Sequence, residues 1–103
     1  MKIKNLKNKK IYLLGLGLEN FSLAKYLAKY GIKVSVFDKR GDQELGDRRK
    51  IIRKIKSDFY GGPDYLNKVY DFDIIFKTPG FAGELKQKNG AIITTPMELF
   101  FDL

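Results

Sequence analysis

Apolar positions along the chain fall into five short runs, at residues 10–14, 33–37, 58–60, 73–77 and 91–94. Each is too short for a helix, and β-branched and aromatic residues are frequent in them, as in buried strands. Between the first two runs the pattern changes to helical spacing. Residues 18–30 place Ala24, Leu27 and Ala28 on one face, Gly31 stands where a helix stops, and Lys25 and Lys29 suit the negative end of the helix dipole. Residues 47–56 form a second amphipathic stretch, capped by Asp47, with Ile51, Ile52 and Ile55 on the apolar side. Shorter helical segments are expected across 64–70 and 84–89, the latter stopped by Gly90, and across 97–101 after Pro96. Residues 1–9 read as a charged lead-in, and residues 41–46 as a polar loop.

Strand and helix thus alternate five times. This predicts an α/β fold: a Rossmann-like five-stranded parallel sheet with helices on both faces, built as one domain over residues 1–103. Right-handed crossovers align the carboxyl ends of all strands along one edge, and ligands of such sheets bind there.

Composition narrows the chemistry. The chain has 103 residues, without cysteine or histidine, which excludes disulfides, thiolate metal sites and the commonest general base. No apolar run approaches a membrane span, and the basic start from Met1 to Lys7 leads into no apolar signal region. A soluble, cytoplasmic protein is expected. The net charge of +8 suits an anionic partner without choosing among nucleotide, nucleic acid and acidic lipid.

Three strand tips carry candidate chemistry. After the first strand comes Gly15-Leu16-Gly17-Leu18-Glu19-Asn20. Gly15 permits a tight turn, and Gly17 lets backbone N–H groups approach a phosphate at a helix N-terminus. Asn20 stands where a dinucleotide fingerprint has glycine or alanine, so its side chain either spaces helix from strand or crowds a pyrophosphate. After the second strand comes Asp38-Lys39-Arg40, with Asp38 21 residues beyond Gly17, near the spacing of a ribose- or base-binding acid. Asp38 and Arg40 can read a base edge together, or simply pair with each other. After the fourth strand comes Thr78-Pro79-Gly80, a loop suited to backbone contact with a ligand, or a plain turn.

The cationic run Arg48, Arg49, Lys50, Arg53, Lys54 and Lys56 fits a solvated helix face better than a nucleic-acid patch. Phe100 and Phe101 suit a core or a surface that meets a neighbouring domain. The sequence contains no phosphate-binding Gly-x-x-x-x-Gly-Lys-Ser/Thr loop, no serine–histidine arrangement and no metal cluster, so no catalytic residue and no metal ligand is assigned.

Taken together, Gly15-Leu16-Gly17-Leu18 with Ser22, then Asp38-Lys39-Arg40, Thr78-Pro79-Gly80 and Pro96-Met97-Glu98-Leu99-Phe100, resemble the N-terminal domain of the Mur ligases, nearest to the D-glutamate-adding branch. The resemblance implies that the chain binds the UDP end of UDP-N-acetylmuramoyl-L-alanine. It also implies that central and C-terminal domains outside this chain bring ATP, magnesium and the amino acid for peptidoglycan biosynthesis, and that this part alone is non-catalytic and needs no cofactor. Leu18 and Lys39 are then expected beside the uracil, Asp38 and Arg40 at its edge or the ribose, backbone groups of Leu18 and Glu19 at the diphosphate, and Thr78, Pro79 and Gly80 along the sugar and diphosphate, with Gly15 and Gly17 also among the UDP-binding residues. That family usually has a small or hydroxyl residue at Glu19, glycine at Asn20, threonine at Lys39 and serine at Thr78. A stand-alone NAD- or nucleotide-sensing module is the alternative. Neither a nucleic acid nor a membrane is expected as partner.

Overall fold

The computed structural model describes residues 3–62, 72–78 and 92–96. Five strands form one parallel sheet: β1 (Ile11–Leu14), β2 (Ser35–Asp38), β3 (Asp58–Gly61), β4 (Ile74–Lys77) and β5 (Ile92–Thr94), in spatial order β3-β2-β1-β4-β5. Strand order reverses between β1 and β4, the topological switch point at whose carboxyl edge ligands of such sheets bind. The Rossmann-like reading holds. The expected segments at 64–70, 84–89 and 97–101, with Pro79, Gly80, Phe100 and Phe101, lie outside the described residues.

Strand register separates two sheet faces. Leu13 stands opposite Val36 and Phe76, and Val36 opposite Phe59. These side chains meet Leu23, Ala24 and Leu27 of α1 (Leu18–Ala28) and Ile52 of α3 (Asp47–Lys54) in the main core. The alternate residues make an aromatic ladder on the other face: Tyr12 lies 5.0 Å from Phe37 and 5.3 Å from Phe72, and Phe37 stacks on Tyr60 at 4.9 Å. Helices α1 and α3 touch each other, as right-handed crossovers on one face require.

The end of α1 follows its sequence signal. Gly31 has φ +71°, its N–H reaches Ala28 O, and the Ile32 N–H reaches back to Leu27 O, closing a Schellman motif. Two expectations are corrected. Residues 1–9 are more than a lead-in: a 3₁₀ turn at Ile3–Asn5 delivers Leu6, fully buried, into the core. Residues 41–46 are not all loop. Asp42–Leu45 form one helical turn, α2, because Leu45 has a core position to fill and Arg49 of α3 binds Asp42 at 3.0 Å.

Candidate functional site

The glycine turn is held from three directions. Gly15, with φ +90°, donates its N–H to Phe37 O of β2 at 2.6 Å. Leu16, wholly buried, donates its N–H to Asp38 Oδ2 at 2.6 Å, and its carbonyl accepts from Arg48 Nη1 of α3 at 3.0 Å. From β4, Thr78 donates its N–H to Leu14 O at 3.0 Å, and its Oγ1 lies 3.1 Å from both Leu14 O and Gly15 O.

Asn20 resolves the question its position raises. The side chain is wholly buried, and its amide nitrogen lies 2.7 Å from Gly15 O, 3.1 Å from Phe76 O, 3.2 Å from Thr78 Oγ1 and 3.3 Å from Leu14 O. It fills the gap between helix and strands that glycine would leave for direct packing, and it bonds the tips of β1 and β4 together. Its Oδ1 is buried without a hydrogen-bond partner. The glycines around it make room for Thr78. A Cβ on Gly15 would meet Thr78 Oγ1 at 2.6 Å, and one on Gly17 would meet Thr78 Cγ2 at 3.0 Å.

Asp38 is buried at the tip of β2. Its Oδ1 accepts from the Arg40 N–H at 2.8 Å and Arg40 Nε at 3.0 Å, and its Oδ2 accepts from Leu16 N–H and from Arg40 Nη2 at 2.9 Å. These four donors occupy the lone-pair sites of a carboxylate. Burial alone would raise the Asp38 carboxyl, but the Arg40 guanidinium, the Leu16 N–H and the Arg40 N–H outweigh it and hold it below the ordinary carboxylate value. Arg40 keeps about a third of its side chain exposed.

The remaining predicted residues lie at the same strand tips. Leu18 is 68% exposed at the first position of α1, and Lys39 is exposed on the β2 tip. Glu19 is half-buried in the first helical turn, and its Oε2 is buried without a partner. No side chain caps α1, whose amino-terminal N–H groups begin at Gly17. The structure therefore brings Gly15, Gly17, Leu18, Glu19, Asp38, Lys39, Arg40 and Thr78 to one sheet edge, while Pro79 and Gly80 lie outside the described residues.

Two members of the site escape the motif reading: Asn20 as a clamp, and Arg48. A signal for Arg48 does exist. It lies four and seven residues before Ile52 and Ile55, on the inward stripe of α3 rather than its solvated face. Arg49 is likewise half-buried, with its guanidinium 4.4 Å from the Phe59 ring. Among the described residues, no three acidic, histidine or cysteine side chains gather as for a metal ion, and no helix is long and apolar enough to cross a membrane.

No family model and no solved structure matches the chain. Curated relatives do. A UDP-N-acetylmuramoylalanine–D-glutamate ligase of Ruminiclostridium cellulolyticum is 37% identical over 97% of this chain and 23% of its own length. The ligase of the same name from Clostridium kluyveri is 40% identical, and that of Clostridium botulinum 37%, each over 92% of this chain and 22% of the relative. The chain thus spans less than a quarter of the length of the relatives it matches.

Proposed function

We propose that this chain, homologous over nearly all its length to an N-terminal fragment of the UDP-N-acetylmuramoylalanine–D-glutamate ligases, binds the uridine diphosphate end of UDP-N-acetylmuramoyl-L-alanine. One observation carries the reading. The uncapped N-terminus of α1, Asp38-Lys39-Arg40 and Thr78 meet at the carboxyl edge of the sheet, where the strand order reverses.

In this proposal each residue has a task compatible with its position. The N–H groups of Gly17, Leu18 and Glu19 receive the diphosphate. Leu18 and Lys39, both exposed, flank the uracil. Asp38 has no lone pair to spare, so it meets a base or ribose donor only by exchanging one of the Arg40 bonds. The exposed edge of Arg40 is the group that reads the ligand first. Thr78, with Pro79 and Gly80, borders the sugar and diphosphate.

In this reading the parent protein is a cytoplasmic, ATP-dependent ligase of peptidoglycan biosynthesis. ATP with magnesium supplies phosphoryl activation of the substrate carboxylate in parts of the enzyme outside this chain. The residues of this chain bind and orient, and perform no ligation. Two cations of the basic helix, Arg48 and Arg49, are engaged with the protein, which favours the solvated-face reading over a nucleic-acid surface.

The test is a ¹⁵N-HSQC titration with UDP, and with NAD as comparator. Saturable shifts at residues 15–20, 38–40 and 78–80 with UDP, and weaker ones with NAD, are expected. Equal or stronger shifts with NAD would favour a dinucleotide-sensing module instead.

A further inference from the structure

We infer that Arg48 is a positioning residue for the diphosphate: from α3 it fixes the peptide plane that aims the Gly17 N–H. The inference deepens the nucleotide reading and rests on it. Leu16 is gripped at both ends of its backbone. Its N–H goes to Asp38 Oδ2 at 2.6 Å and its carbonyl takes Arg48 Nη1 at 3.0 Å. The two bonds act on different peptide planes. The Asp38 bond fixes the plane between Gly15 and Leu16, and the Arg48 bond fixes the plane between Leu16 and Gly17.

A trans peptide is planar, and its carbonyl and N–H point in opposite directions. With Leu16 O drawn to Arg48, the Gly17 N–H must point away from α3. Gly17 is the N-cap of α1, with extended backbone at φ −71° and ψ 177° and no side-chain cap, so this N–H belongs to the anion-facing set. Glycines on both sides of Leu16 leave the plane free to rotate unless something holds it. A guanidinium presents a planar, pre-organised donor for that purpose. The accepting carbonyl belongs to Leu16, which is wholly buried, so the bond is less exposed to competition from water than one at the surface.

The cost of losing this hold falls on binding, because a rotated donor forfeits a charge-assisted bond to the phosphate. The experiment compares wild type with Arg48→Met, which keeps the apolar stem, and with Arg48→Lys, which keeps the charge. UDP affinity is read by NMR titration at low and high salt, beside amide shifts of the free proteins. R48M is expected to displace the Gly17 and Leu18 amide resonances before any ligand is added. It is expected to weaken UDP binding roughly five- to tenfold, by the same factor at both salt concentrations. R48K is expected to lose affinity too, since a hydrated ammonium on a flexible stem does not hold one plane.

Wild-type affinity in R48K, or a loss in R48M that vanishes at high salt, would mean that Arg48 acts only as a charge, and the inference falls. Unmoved Gly17 and Leu18 amides in R48M overturn it as well. If R48M does not fold, R48K decides alone by the same two readouts. Wild-type protein that binds no UDP sinks the nucleotide reading, and this inference with it. Binding by wild type with undiminished affinity in both variants sinks the inference alone.

Discussion

The Asp38 carboxylate accepts the Leu16 N–H at 2.6 Å, joining the tip of β2 to the glycine turn across 22 residues of sequence. The same carboxylate holds Arg40 through both its oxygens. Removing the charge therefore leaves a buried N–H poorly matched and frees a guanidinium. Asp38→Asn is expected to cost about 2–3 kcal/mol at neutral pH, measured by urea unfolding. The pH dependence follows from the sign of the shift. The folded-state pKa is lowered, so this stabilisation is complete above the ordinary value of 3.8 and is lost as pH falls below it towards the folded value. Wild type should lose stability through that acid window more steeply than D38N. Parallel acid limbs would show that Asp38 contributes nothing to the slope.

Asn20 offers a sharper electrostatic test, because its amide nitrogen sits among four oxygen atoms. Asn20→Asp changes almost no volume but sets a carboxylate against Gly15 O, Phe76 O, Leu14 O and Thr78 Oγ1. It is expected to cost more than Asn20→Gly, although glycine removes the whole side chain. Estimates are about 2–3 kcal/mol for the glycine and at least about 3 kcal/mol for the aspartate, which must bury charge or a proton. Unfolding midpoints of the two variants check the order. The reverse order would mean that the side chain serves by filling space and not by donating.

Much of the fold was legible because its signals are local. The runs around Leu13, Val36 and Ile75 announced strands, and Gly31 announced the end of α1. What stayed hidden depends on distance in sequence. Leu6 reads as one apolar residue among lysines, and only the assembled sheet shows that it plugs the core. Leu45 reads as part of a polar loop until the core has a place for it. The site divides the same way. Gly15, Gly17 and Asp38 are found by spacing. That Asn20 reaches 56 residues along the chain to Phe76 and so clamps β4 to β1, or that Arg48 reaches back 32 residues to the turn, is a property of the packed fold. Asp38 shows the limit of motif reading in another respect: the expected ligand-binding acid has its acceptor sites filled by the protein itself.

Lys56 follows the C-cap Ile55 of α3 in the left-handed conformation, with φ +59°. The bonds around it, Lys56 N–H to Arg53 O and Ser57 N–H to Ile52 O, repeat the Schellman pattern that Gly31 forms after α1. A side chain with a Cβ is strained there. Lys56→Gly should remove that strain and raise stability by about 0.5–1 kcal/mol, after allowing for the greater chain entropy of glycine. The midpoint in urea should rise with an unchanged slope. Gly31→Lys, at φ +71°, should lower it.

Thr78 gives a prediction with an internal control. Gly15 and Gly17 both face it, but for different reasons each must be glycine. At Gly17 the backbone is ordinary, with φ −71°, and the nearest obstacle to a Cβ is Thr78 Cγ2 at 3.0 Å. At Gly15 the obstacle is Thr78 Oγ1 at 2.6 Å, and φ is +90° besides. Thr78→Ser removes Cγ2 and keeps Oγ1. It should therefore rescue part of the damage from Gly17→Ala and none of that from Gly15→Ala. In double-mutant cycles the coupling should be about 0.5–1 kcal/mol for the first pair and near zero for the second. Gly17→Ala alone should cost about 1–2 kcal/mol, the crowding adding to a poorer helix cap. Gly15→Ala should cost more, since the left-handed backbone strain survives any change at Thr78. Equal rescue of both glycine variants would show that side-chain crowding, and not the backbone of Gly15, decides how the turn is built.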